Sequence, residues 1–171
     1  MKKKLIICLL AAVLLAGCLN SKASTSTSTN TSTGEGAARS LQDFADITAK
    51  EWKLMEVYID GVNTNFNRDS QPESFSRDIF SLKMEDGTIS GMGAPNRYSG
   101  RYTLNENQGI SITPLASTMM ASLFEPENLR EFEYFSYIQS THSWSIINNG
   151  SNLELLSVTN DGKPVRMVFA L

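Results

Sequence analysis

The sequence predicts a mainly β fold, a small closed antiparallel barrel of about eight strands with one inserted α-helix. Three observations predict it. Short apolar stretches follow one another at close spacing along the second half of the chain. Turn pairs punctuate them, namely Asp60-Gly61, Asp86-Gly87, Asn149-Gly150 and Asp161-Gly162. One long segment, with Leu129, Phe132, Phe135 and Ile138, repeats four apolar residues at every third position.

The elements follow in order. Arg39 to Lys50 is expected as a short helix or a loop, with Leu41, Phe44 and Ile47 spaced three apart. In the next run, Trp52, Leu54, Glu56 and Tyr58 alternate with Lys53, Met55, Val57 and Ile59, the pattern of a strand with substantial burial that ends at Asp60-Gly61. No tight hairpin is expected there, because the polar stretch after Val62 offers no obvious returning strand. From Asn63 to Asp78 a solvated connection is expected. Its alternating Asn63, Asn65, Asn67 and Asp69 have the spacing of calcium ligands, but the turn glycine and closing glutamate of a calcium loop do not fall in register.

Ile79 to Met84 and Thr88 to Met92 read as a hairpin across Asp86-Gly87. Ser99-Gly100 introduces a strand from Arg101 to Leu104, and Gly109 introduces another from Ile110 to Thr113 that Pro114 ends. Pro126, Glu127 and Asn128 then supply helix start signals, and the helix is expected to run to about Thr141 with Phe132 and Phe135 turned inward. Trp144 to Asn148, Leu153 to Val158 and Val165 to Leu171 complete the barrel as a three-stranded meander. Met119 and Met120 are expected in the core, as are Trp52 and Trp144.

The chain has 171 residues and a formal charge of -3. Its first residues have the anatomy of a secretory leader: Lys2, Lys3 and Lys4, an apolar run from Leu5 to Leu15, then Leu15-Ala16-Gly17-Cys18. The run is too short to span a bilayer, which takes about 20 apolar residues. Cleavage before Cys18 would remove those three lysines and take the charge from -3 to -6. Such acidity, with the other basic residues scattered among carboxylates, argues against a nucleic-acid partner. Both cysteines, Cys8 and Cys18, fall in the first twenty residues, so the later domain has neither a disulfide nor a cysteine metal site.

Leu-Ala-Gly-Cys resembles the lipobox of bacterial lipoproteins, which implies residues 1–17 as signal peptide and Cys18 as the lipidated, palmitate-bearing amino terminus. At roughly 0.8 kcal/mol per buried methylene, several acyl chains hold where one does not. Leu19 follows in place of an aspartate, which by the enteric sorting rule implies an outer-membrane address facing the periplasm or the surface. Residues 18–38 contain Ser24-Thr25-Ser26-Thr27-Ser28-Thr29, which has almost nothing apolar to bury and is expected to act as an unstructured tether.

The stretch Gly91-Met92-Gly93-Ala94-Pro95-Asn96-Arg97-Tyr98-Ser99-Gly100-Arg101-Tyr102 resembles the signature of the META/HslJ domain family, a Gly-Cys-Asn-Arg-Tyr-like core followed by Ser-Gly-x-Tyr. Glu51-Trp52-Lys53-Leu54 is similar to the family's opening strand, and Pro114-Leu115-Ala116-Ser117-Thr118-Met119-Met120-Ala121 to its Pro-Leu-Ala-Ser-Thr-x-Met-Ala block. The helix and terminal meander match its closing part, so the resemblance covers residues 46–171. It implies a lipocalin-like barrel in envelope lipoproteins linked to stress or antibiotic tolerance, without established catalytic residues. Where the family often has two cysteines this chain has Pro95 and Ser122, which fits their loss as a pair and removes a redox role for them. Ala94 replaces a core glycine, and a slightly different local backbone is expected.

Gly91, Gly93, Asn96, Arg97, Tyr98, Gly100 and Tyr102 are the candidate motif residues. Glycines permit close backbone approach, and Asn96 is expected to cap its own turn. A structural role is favoured over a binding site lined by Asn96, Arg97 and Tyr98. His142 is the only histidine and has no nucleophile elbow to serve, so it is expected as a helix-end residue. Glu125, Glu127, Glu131 and Glu133 are read as a solvated helix face and not as paired catalytic carboxylates. No metal or other cofactor is expected. The leading expectation is a non-enzymatic, lipid-anchored envelope protein acting in envelope maintenance or stress tolerance through protein contacts. Its partner is then the membrane through Cys18 and an unknown envelope protein. A carrier of a small apolar ligand in the barrel is second and a hydrolase a distant third.

Overall fold

The computed structural model describes residues 44–71, 79–121 and 125–171. Cys18, the leader, the tether and Leu41 lie outside the described residues. The fold is a closed antiparallel barrel with one described α-helix. Its ten described strands are β1 (Glu51–Ile59), β2 (Val62–Asn63), β3 (Ser81–Glu85), β4 (Thr88–Met92), β5 (Arg97–Asn105), β6 (Gly109–Ile112), β7 (Ala116–Ser117), β8 (Ser143–Ile147), β9 (Asn152–Val158) and β10 (Pro164–Ala170). The helix, α1, spans Glu131–Gln139. Eight strands form the wall in the order β1-β3-β4-β5-β6-β8-β9-β10, and β10 pairs back with β1 to close it.

Alternation puts Val165, Met167 and Phe169 of β10 and Leu153 and Leu155 of β9 inside. In β1 the alternation changes phase: a bulge between Leu54 and Glu56 leaves Met55 outside and lets Trp52, Leu54 and Val57 all point inward. That bulge explains why apolar and polar residues appeared in both alternating sets of this strand. Phe80, Leu82, Met84, Ile89, Ile110 and Trp144 fill the remaining interior. Four depressions lined by described residues, of about 190 to 470 Å³, open on the outside of the barrel.

Both ends of the barrel are plugged. Residues 44–49 close the end where β1 begins: Phe44 packs on Trp144 at 4.9 Å and Tyr102 at 5.5 Å, and the Ile47 carbonyl accepts the Trp52 indole N–H at 2.9 Å. At the other end α1 lays Tyr134, Tyr137 and Ile138 over the core, with the Tyr134 ring 4.9 Å from Phe80.

Several expectations are corrected. Asp60 and Gly61, both in the left-handed region (φ 52° and 77°), do form a tight hairpin, because Val62 returns to pair with Ile59. The connection after it is not wholly solvated, since Phe66, Arg68 and Gln71 are buried. The Arg68 guanidinium donates to the carbonyls of Leu54 and Phe80 at 3.0 and 3.1 Å. Asn63 and Asn67 spend their side-chain oxygens on the amides of Asn65 and Asp69, two residues on. Strand β5 begins at Arg97, four residues earlier than expected, and Ser99-Gly100 lies within it. The helix starts at Glu131, because Asn128 sits at φ 62° and breaks any earlier turn. Phe132 faces solvent, 56% exposed, and the tyrosines face in. Met119 and Met120 are outside the core, 97% and 55% exposed.

Candidate functional site

The candidate motif spans the end of β4, the turn at 93–96 and β5, and it is knitted to two distant segments. Its centre is Asn96, whose side-chain amide uses both donors and both lone pairs. Its Oδ1 accepts from the Met120 amide at 2.6 Å and from the Thr118 hydroxyl at 2.9 Å. Its Nδ2 donates to the Met120 carbonyl at 3.1 Å and to Glu131 Oε2 at 2.7 Å. Asn96 therefore does not cap its own turn. It fastens the strap at 114–121 to the start of α1.

Glu131 completes the clamp from the first turn of α1, where a carboxylate also meets the positive end of the helix dipole. Its Oε1 accepts from the amides of Ala94 and Asn96 at 2.5 and 2.6 Å. Those bonds turn the Ala94–Pro95 stretch, whose peptide is cis, onto the helix. Glu131 is thus not part of a solvated face. Glu133 is occupied as well, accepting from the Arg130 amide at 2.9 Å and pairing with its guanidinium at 2.8 Å, which together hold its carboxyl below the usual range.

The glycines make room for this arrangement. A Cβ on Gly93 would stand 2.5 Å from Glu131 Oε1 and 2.6 Å from Phe135, and one on Gly91 would stand 1.9 Å from the Ser81 carbonyl oxygen. That carbonyl accepts from two buried phenols, Tyr98 and Tyr134, each at 3.0 Å. Burial pushes both hydroxyls well above the usual tyrosine range. Gly100 passes beneath Leu115, which a Cβ would approach to 2.8 Å.

The remaining candidates are not brought to the clamp. The Arg97 side chain is exposed, beside a 280 Å³ depression over Gly91 and Met92. Tyr102 lies toward the opposite end of the barrel, against Phe44. His142 is exposed on the rim of a 470 Å³ outer groove with Tyr58, Leu156, Val158 and Arg166. In that groove Arg166 stacks over Tyr58 at 4.8 Å and pairs with Glu154. No group of three or more metal-ligating side chains occurs among the described residues. Cys18 lies outside them.

The clamp includes Thr118, Tyr134, Ser81 and above all Glu131, none of which the motif pointed to. The one signal for Glu131 was its place near a helix start.

Beside the clamp runs a second feature. Strands β6 and β7 are one strand broken near Pro114, both pairing with β5 but in registers that differ by one residue. β7 faces α1 across a slot of about 460 Å³ lined by Leu115, Ser117, Phe132, Phe135, Gln139 and Asn160 among others. The Thr118 amide donates back to Arg97, so the neighbouring Ser117 turns its N–H and C=O away from β5, toward α1. The Leu115 amide, which turns the same way, donates to Gln139 Oε1 at 3.2 Å. No described residue takes up the Ser117 groups.

A closed eight-stranded barrel with a helix pinned to its glycine-rich turn defines the class. The META domain family model matches residues 45–169, and the chain belongs to that family. No curated protein matches it.

Proposed function

We propose that the chain is a lipid-anchored META-domain protein of the bacterial cell envelope, one that serves envelope maintenance or stress tolerance by holding another protein and has no reaction of its own. Support for the anchor is the leader that closes on Leu15-Ala16-Gly17-Cys18. The observation that carries the contact reading is the edge of β7 opposite α1, where no described residue pairs with Ser117. Backbone groups at a strand edge are a template for another strand. An extended segment entering the slot would pair with Ser117 and place an apolar side chain on Phe132 and Phe135. The lining residues named above carry no formal charge, which favours an uncharged segment. The described aromatic and aliphatic side chains that point into the barrel weigh against carriage of a ligand there.

The test is a photo-reactive side chain at position 117 in intact cells, with the same group at Glu85 on the opposite end as control. A discrete adduct from 117 that is absent from 85 is the expected result, and equal labelling at both would defeat the contact reading. The anchor is tested separately. Cys18→Ser should move the protein from the membrane to the soluble fraction, and continued membrane association would refute lipidation at that residue.

A further inference from the structure

We propose that Met119 and Met120 form a reversible oxidation site, where a peroxide converts both thioethers to sulfoxides and so turns the exposed apolar part of the strap beside the slot polar. The geometry separates the backbone of this strap from its side chains. Asn96 grips the Met120 amide and carbonyl together, and Thr118 is tied to both Asn96 and Arg97. The strap is therefore held by its main chain and by Thr118, while the two thioethers stand in solvent, 97% and 55% exposed at the residue level. Among the other described methionines Met84 and Met167 are fully buried, Met92 is half-buried, and Met55 is exposed to 39%. Oxidation at 119 and 120 breaks none of the clamp's hydrogen bonds, which run through the Met120 main chain and Thr118, so the clamp stays closed.

In the reaction with a peroxide, the sulfur lone pair attacks one oxygen, the S–O bond forms as the O–O bond breaks, and the departing oxygen leaves as water or alcohol after taking a proton. Sulfur is oxidised by two electrons and the peroxide reduced by two. Two thiol-dependent methionine sulfoxide reductases, one for each sulfoxide epimer, together reverse the step. The site lies beside the slot, because Asn96 joins Met120 to Glu131, the neighbour of Phe132. Control of binding by this chemistry rests on the contact reading above, whereas the oxidation itself does not.

The test treats the full chain with hydrogen peroxide and follows each methionine by peptide mass mapping. Met119 and Met120 are expected to gain oxygen at least about tenfold faster than Met84 and Met167, with unchanged circular dichroism and restoration by the two reductases together. Comparable rates at the buried methionines, loss of the fold on oxidation, or failure of both reductases together would overturn the site. The adduct from position 117 should then fall after peroxide in the native sequence and persist in a Met119→Leu/Met120→Leu variant. Persistence in both would overturn the regulatory role. If the untreated protein gives no adduct, the contact reading and the control built on it fail together, and mass mapping still decides the oxidation site.

Discussion

Asn96 and Glu131 together gather donors and acceptors from three stretches of chain, 94–97, 118–120 and the start of α1. Glu131 accepts three N–H bonds, from the amides of Ala94 and Asn96 and the side chain of Asn96. Glu131→Gln replaces an acceptor oxygen with a donor nitrogen facing donors, and is expected to cost about 2 kcal/mol by urea unfolding. The buried phenols make a second residue-level prediction. Tyr98 and Tyr134 have raised pKa values in the folded protein, so the unfolded chain ionises first. The stability they lend is complete below the ordinary tyrosine value of about 10 and declines as pH rises beyond it, by up to about 1.4 kcal/mol per pH unit for each phenol. Tyr98→Phe should make the unfolding midpoint less steep in pH above that value. At this scale the sequence was legible only in part. The close approaches of Gly91, Gly93 and Gly100 follow from what glycine permits, but Asn96 finds its partners 24 and 35 residues away, where no local pattern reaches.

Among the elements, strands were legible and the helix face was not. Turn pairs and alternation located β3, β4 and β8 to β10, because a sheet side chain repeats every second residue whatever lies beyond. A spacing of three in a helix drifts backwards by about 60° at each step, so Phe132 ends up about 120° from Ile138. Tyr134, Tyr137 and Ile138 fall closer together and form the buried face. Phe132→Glu should therefore change folding stability by no more than about 0.5 kcal/mol while weakening the adduct at position 117. Tyr134→Ala should cost about 3–5 kcal/mol, as expected for loss of a large buried side chain. The misplacement of Met119 and Met120 has a similar cause: an apolar pair implies burial only where side chains hold the segment, and here the main chain is what Asn96 holds.

At the scale of the molecule, closure of the barrel was legible from the number of strands, while its plugs were not. Phe44 seals one end from outside the strand pattern, and its aromatic contact with Trp144 links the segment before β1 to β8. Trp144→Ala is expected to lower stability by about 3–5 kcal/mol, measured by thermal or urea unfolding.

The two plugs lie at opposite poles, and that has a mechanical consequence. The chain enters at the pole sealed by Phe44, whereas the slot and the methionine strap lie toward the pole covered by α1. Allowing for strand tilt, the distance between the poles is roughly 20–25 Å. On the reading proposed above, an anchor ahead of Phe44 would pull at one pole and a bound protein at the other. A bilayer attachment and a bound protein would occupy different places at once, and tension between them would run lengthwise through hydrogen-bonded staves instead of prising the cask open.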